Sequence, residues 1–337
     1  MSSLKNFREK LPKTPMIRTT AVLVSPIILS GCLYYGFNRG LLKPDRPPAP
    51  APTSYFNYTP LSAAPKLGTV RQRPGFTMQR AEFEAPPETN LFKTVSAFYY
   101  RPDGAERKPA LIILPITQGD YYTKEFAAFL AANGYVCLRY QSRGELFKIR
   151  QSPQPLLEFE ATLRSYVIHV RRGLDWLARQ PEVDPDRIGI MGISFGAISG
   201  MLTMEVEPRI RSGVFILGGG NLPGILTSST EPSIQWIQKY LRDVEDLSDD
   251  ELLQEVSSVV GAVDPMNYAD RLDPSRILMI NAWYDAVIKR RHVKQLWEKA
   301  SRPPLIFLPT GHYSAGLLFP YAESKTLDHF NRTLKSP

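Results

Sequence analysis

Cysteine is almost missing from this chain: two residues, Cys32 and Cys137, in 337. That rules out a fold stapled by several disulfides, and no cysteine or histidine pair has metal-ligand spacing. Cys137 lies in the apolar run GYVCLRY and reads as a small core hydrophobe. Histidine is scarce as well, with four in the whole chain, so any role that needs an imidazole has few candidates. No basic patch interleaved with aromatics occurs, and the net charge of +8 is unevenly placed. Half of it comes from the N-terminus, where Lys5, Arg8, Lys10, Lys13 and Arg18 stand against Glu9, a net of +4. The balance is too mild for a nucleic-acid partner. There is no internal repeat.

The basic N-terminal stretch runs into AVLVSPIILSGC, residues 21–32. A positive segment before an apolar one of about 7–15 residues has the form of a secretory signal. Its end, Leu29-Ser30-Gly31-Cys32, resembles a bacterial lipobox. That resemblance implies a signal over 1–31 and a lipid on Cys32. Two alternatives stay open. One is an uncleaved anchor helix, since the apolar stretch extended to Phe37 reaches about 17 residues, the lower edge of a spanning length. The other is a plain cleaved signal. Each puts the main domain outside the cytoplasm, held in the cell envelope by a lipid or a helix in the first two. Proline crowds LLKPDRPPAPAPTS, residues 41–54, and favours an extended spacer. Residues 32–75 are therefore expected as a tether, with 55–75 left open to pack loosely on the domain.

From Phe76 the pattern is regular. FTMQRAEFEA and FKTVSAFYYRP alternate apolar and polar residues as half-buried strands do. ALIILP, YVCLRY, IGIMGI, SGVFILGGG, RILMINAWY and PLIFLP are short continuous apolar runs, as in strands covered on both faces. Helical patterns stand between most of them. In the longest, residues 156–179, Leu163, Val167, Val170, Leu174 and Leu177 form one apolar stripe. His169 lies off that stripe and is expected in solvent. Alternation of strands and helices predicts one domain over 76–337: a mostly parallel eight-stranded sheet with helices on both faces. Residues 221–262 carry two helical patterns, SIQWIQKYL and DDELLQEVSSVV, and are expected to form a helical lid.

The chemistry gathers around RIGIMGISFGAIS, residues 187–199. A strand that turns straight into a helix on Gly-x-Ser-x-Gly projects the serine above the sheet, with glycines where a Cβ would clash. Ser194 is the candidate nucleophile. A serine hydroxyl needs a base in contact, and the base needs an orienting acid. His169, His292 and His329 fall in helical patterns. His312 follows the last strand in LPTGHYSAG, where loops at strand carboxyl ends collect functional groups. Asp285 follows the preceding strand, whereas Asp264, Asp270 and Asp273 come before it. The order Ser194, Asp285, His312 is that of α/β-hydrolases.

From about Phe76 to Leu334 the chain resembles the α/β-hydrolase superfamily. GLDWLARQPEVDPDRIGIMGISFGA and DPMNYADRLDPSRILMINAWYDAVI are similar to its dienelactone-hydrolase-like and acetyl-xylan-esterase-like branches. The resemblance implies hydrolysis of a small ester or acyl substrate without a cofactor or metal. An exported peptidase, a thioesterase, a carbon–carbon or haloperoxidase-type enzyme and a non-catalytic envelope lipoprotein remain as alternatives. The oxyanion would be met by the backbone amide of Phe195 and one from Thr117 or Gln118. Many relatives show His-Gly there, where this chain reads LPITQGD. Tyr121, Tyr122, Phe195, Asn221 and Leu222 flank the expected pocket, with packing as their competing role. Arg143 is read as an ion-pair residue or a clamp for a substrate anion.

Overall fold

The computed structural model describes residues 53–87, 89, 94–117, 119–142, 149–243 and 246–335. The signal or anchor segment with Cys32, and also Gln118 and Arg143, lie outside them. Ten strands form one sheet: β1 (Lys66–Leu67), β2 (Arg71–Arg73), β3 (Phe76–Glu84), β4 (Thr94–Pro102), β5 (Lys108–Leu114), β6 (Val136–Tyr140), β7 (Val183–Ile193), β8 (Ile210–Ile216), β9 (Ile277–Ala282) and β10 (Leu305–Leu308). Their order is β1-β3-β4-β6-β5-β7-β8-β9-β10, with β2 also on β3. Pairing from β6 to β10 is parallel, and β3, β4 and the two short strands pair antiparallel.

All eight expected strands are present. The count of eight is corrected to ten by β1 and β2, which are two and three residues long and exposed. Runs so short and polar carry no period to detect. Among the described residues eight α-helices pack around the sheet: α1 (Tyr121–Ala132), α2 (Pro155–Leu177), α3 (Phe195–Val206), α4 (Leu222–Ser228), α5 (Pro232–Asp243), α6 (Asp249–Val260), α7 (Arg290–Lys299) and α8 (Phe319–Phe330).

The two faces of the sheet follow from the period of two along each strand. Ile112 and Leu114 of β5 join the core under α2 and α3, which α4, α5 and α6 extend. Leu111 and Ile113 join the opposite core with Phe126 and Leu130 of α1 and Phe330 of α8. Because helices cover both faces, β5 is buried at all seven positions. The stripe on α2 from Leu163 to Leu177 is fully buried. Gly134, with φ of 86°, ends the chain's turn out of α1 in the left-handed region that glycine enters freely.

The tether reading fails over 53–75. Thr53–Phe56 form a 3-10 turn, and Phe56 is completely buried against the face of α2. The Tyr55 hydroxyl donates to Glu160 at 2.6 Å, and Arg171 donates to the Phe56 carbonyl at 2.8 Å. The reading of His169 is corrected too: the loop after β3 covers that side of the helix, so His169 is buried and bonds Thr89 at 3.2 Å. Burial, with Arg172 nearby, pushes its pKa down to about 3. Phe56→Ala should therefore cost about 3–5 kcal/mol, the usual range for deleting a buried phenylalanine. Urea unfolding measures it; an unchanged midpoint would restore the tether.

Candidate active site

Ser194 sits between β7 and α3 with φ of 55° and ψ of −116°. A non-glycine residue held there costs on the order of 1–3 kcal/mol, and the surrounding structure has to enforce it. Two features do. The Ser194 amide donates to the Ile216 carbonyl of β8 at 2.8 Å. The flanking glycines admit no side chain. A Cβ on Gly192 would stand 2.0 Å from the Gly196 carbonyl oxygen, and one on Gly196 would stand 2.5 Å from the Pro115 oxygen. Both obstacles are backbone, so no rotamer change relieves them. Gly192→Ala should lower stability toward the upper end of about 1–3 kcal/mol, the range for overpacking. Denaturant unfolding reads this directly; a neutral result would mean the elbow can open.

The structure brings Ser194, His312 and Asp285 together. His312 Nε2 lies 2.9 Å from Ser194 Oγ, and Nδ1 lies 2.7 Å from Asp285 Oδ2. Three strand ends supply them. Parallel β9 and β10 are neighbours, so the loop carrying Asp285 and the loop carrying His312 run side by side. The Tyr284 amide bonds the Thr310 carbonyl at 2.9 Å across them. The other oxygen of Asp285 accepts from the amides of Val287 and Ile288, both at 2.8 Å. The side chains of Asp285 and His312 are 1% and 8% exposed, so water does not compete for their bond. Burial opposes a charge on the imidazole. The Asp285 carboxylate, with a contribution from Glu231, outweighs it and holds the His312 pKa above its ordinary 6.5. An imidazole so placed can take the Ser194 proton and keep the resulting charge.

The other three histidines are neutral by burial. His169 and His292 are pushed down to about 3, and His329 to about 4. Asp264 is committed elsewhere: its carboxylate accepts from the amides of Asn221, Leu222 and Met266.

The Phe195 amide heads α3, before the first intrahelical bond, where a helix leaves N–H groups free for an anion. The Phe195 ring turns into the core against Phe159 and Tyr166. Thr117 is half-buried in the loop after β5, its carbonyl accepting from Ser142 at 3.3 Å. That loop is anchored by Asp120, paired with buried Arg139 at 3.2 Å and bonded by Gln141 at 2.9 Å.

Two suggested pocket residues are corrected. Leu222 is completely buried in the core. Asn221 caps α4, accepting from Gly224 at 3.0 Å and donating to Gln295 at 2.9 Å. The Asp264 carboxylate holds both amides; the Leu222 side chain is buried, and that of Asn221 is half-buried between α4 and Gln295. Tyr122 is half-buried against Phe319, 5.1 Å between ring centres, whereas Tyr121 is 67% exposed. The sequence reading missed Glu231 and Tyr313. The Tyr313 hydroxyl donates to the Glu231 carboxylate across 82 residues of chain, a separation that periodicity does not register. Among the described residues no cluster could hold a metal ion.

The family model described as the BAAT / acyl-CoA thioester hydrolase C-terminal region matches residues 169–322. No curated protein matches the sequence. Among solved structures, acetyl xylan esterase 1 from Thermoanaerobacterium sp. JW/SL YS485 is similar at a TM-score of 0.62 with 19% identity, over 83% of this chain and 95% of that one. The acetyl xylan esterase from Paenibacillus sp. R4 is similar at 0.63 with 15% identity, over 83% and 92%. The Pyrococcus horikoshii acylaminoacyl peptidase is similar at 0.57 with 17% identity, over 80% of this chain and 43% of that one. At such identities the likeness is one of architecture, and the architecture is the α/β-hydrolase fold.

Proposed function

We propose that this protein is a serine hydrolase that cleaves carboxylic esters through an acyl-enzyme. The observation that supports it most is the continuous line of contacts from Asp285 through His312 to Ser194 on a strained turn. His312 Nε2 takes the hydroxyl proton as Ser194 Oγ bonds to the ester carbonyl carbon. The negative oxygen that forms is met by the Phe195 amide and by an amide of the 117–118 stretch. One such donor is typically worth about 2.7–4 kcal/mol. The imidazolium returns its proton to the leaving alkoxide as the carbon–oxygen bond breaks. Water then attacks the acyl-serine by the same route, releasing the acid and restoring Ser194.

Two structural neighbours are named acetyl xylan esterases, so short acyl esters are the first substrates to try. A thioester is the second reading, supported by the match over 169–322. The test is labelling of the full-length chain by a fluorophosphonate, followed by p-nitrophenyl esters of rising acyl length, acyl-CoA thioesters and peptide anilides. Labelling with ester turnover supports the proposal. Turnover of thioesters alone moves it to the second reading, and of anilides alone to a peptidase. A folded chain that resists the probe would reject catalysis.

We also propose that the chain works at the cell envelope, lipidated on Cys32, from the basic, apolar and lipobox-like order of residues 1–32. Cells fed radiolabelled palmitate should label the wild-type protein and not Cys32→Ser. Equal labelling of both would reject the lipid.

A further inference from the structure

We propose that Glu231 is a positioning residue for the base: it ties the inserted helices to the His312 loop and faces the imidazole as a second carboxylate. The proposal rests on the hydrolase reading for its consequence in the reaction. Its geometry stands by itself.

Glu231 lies between α4 and α5. Its carbonyl accepts from Gln235 at 2.8 Å, the first bond of α5, and its amide donates to Ser229 Oγ at 3.1 Å. The residue is therefore fixed at the head of a helix. Its carboxylate receives the hydroxyl of Tyr313, the residue next to His312. One position earlier, the Thr230 amide donates to the Ala286 carbonyl at 3.3 Å, next to Asp285. Two consecutive residues of the insertion, Thr230 and Glu231, thus touch the two loops that carry the proposed acid and base. The Tyr313 ring lies 5.4 Å from the imidazole, edge to face.

Four groups face His312 from the elements around it: Ser194 from the head of α3, Asp285 from the loop after β9, Glu231 from the insertion, and Tyr313 on its own loop. Asp285 makes the direct bond. Glu231 acts through space and through Tyr313, and its negative charge favours the imidazolium. Seating the insertion and strengthening the base are then one event. Lifting α5 away would pull Glu231 from the site, slacken the His312 loop and weaken the base together.

Glu231→Gln separates charge from shape, because the amide oxygen can still accept from Tyr313. The experiment is the rate of fluorophosphonate labelling of the full-length chain against pH, alongside an NMR titration of ring-labelled histidine. His312 is the one histidine of the four not held neutral down to about pH 4. In Glu231→Gln the acid limb of labelling and the His312 titration should both move to lower pH, because loss of a negative neighbour destabilises the imidazolium. In Glu231→Ala and Tyr313→Phe the plateau rate should fall roughly 10–100-fold, the scale of a misplaced reacting group. Unchanged limbs in Glu231→Gln would overturn the electrostatic part, and unchanged plateaus in the other two would overturn the positioning part. A wild-type chain left unlabelled would instead reject the hydrolase reading, and the NMR titration would still decide the role of Glu231.

Discussion

In Ser194→Ala, turnover of p-nitrophenyl esters should fall about 10⁶-fold in kcat, the scale seen when a nucleophile that acts as part of a unit is removed. The fold should survive. Alanine keeps the Cβ, so the strained turn and its bond to Ile216 are unchanged. What disappears is the oxygen 2.9 Å from His312 Nε2, and with it the bond-forming atom. Fluorophosphonate labelling should vanish in parallel. In the wild type the rate should fall as pH drops through the His312 pKa, because the protonated ring cannot accept a proton. That pKa stands above 6.5 owing to Asp285 and Glu231, so the acid limb should lie on the alkaline side of free imidazole. A variant that keeps its turnover, or a wild-type rate that is flat to pH 4, would reject the proposed nucleophile or base.

The elements legible in the sequence were those whose reason is local. The eight main strands announce themselves because apolar residues repeat every two positions or run without a break under helices on both faces. The elbow is legible because glycine is demanded by the chain's own backbone: the obstacle to a Cβ on Gly192 is Gly196, four residues on. His312 could be picked from four histidines because position at a strand's carboxyl end is a property of order along the chain. What was illegible depends on contacts between distant segments. Phe56 looks like part of a proline-rich spacer, and α2 and Tyr268, more than 100 and 200 residues later, make it core. The sequence points His169 to solvent because a helical stripe describes one buried side, and α2 has two. Asn221 and Leu222 flank the expected pocket in the sequence. The Asp264 carboxylate, some 40 residues on, takes their amides and fixes them at the head of α4.

Asp285→Asn should abolish most activity, by about 10⁴-fold in kcat, while leaving the protein folded. The reason lies in how the carboxylate is shared. One oxygen accepts from the amides of Val287 and Ile288, and the other from His312 Nδ1. An asparagine has a single acceptor, and two backbone donors claim it. Its NH₂ group must then face Nδ1, so Nδ1 becomes the acceptor and the ring proton moves to Nε2. That nitrogen points at Ser194, and a protonated Nε2 can receive nothing. The substitution thus keeps size, packing and the loop bonds, and reverses the tautomer. Asp285→Ala is the contrast. It leaves two backbone amides and a buried ring nitrogen without partners, and breaking a buried pair in this way costs about 3–5 kcal/mol. Asparagine should therefore give a stable, inactive protein and alanine an unstable one. Steady-state kinetics beside urea unfolding separates the two losses. Wild-type turnover in the asparagine variant would remove Asp285 from the mechanism, however short its bond to His312.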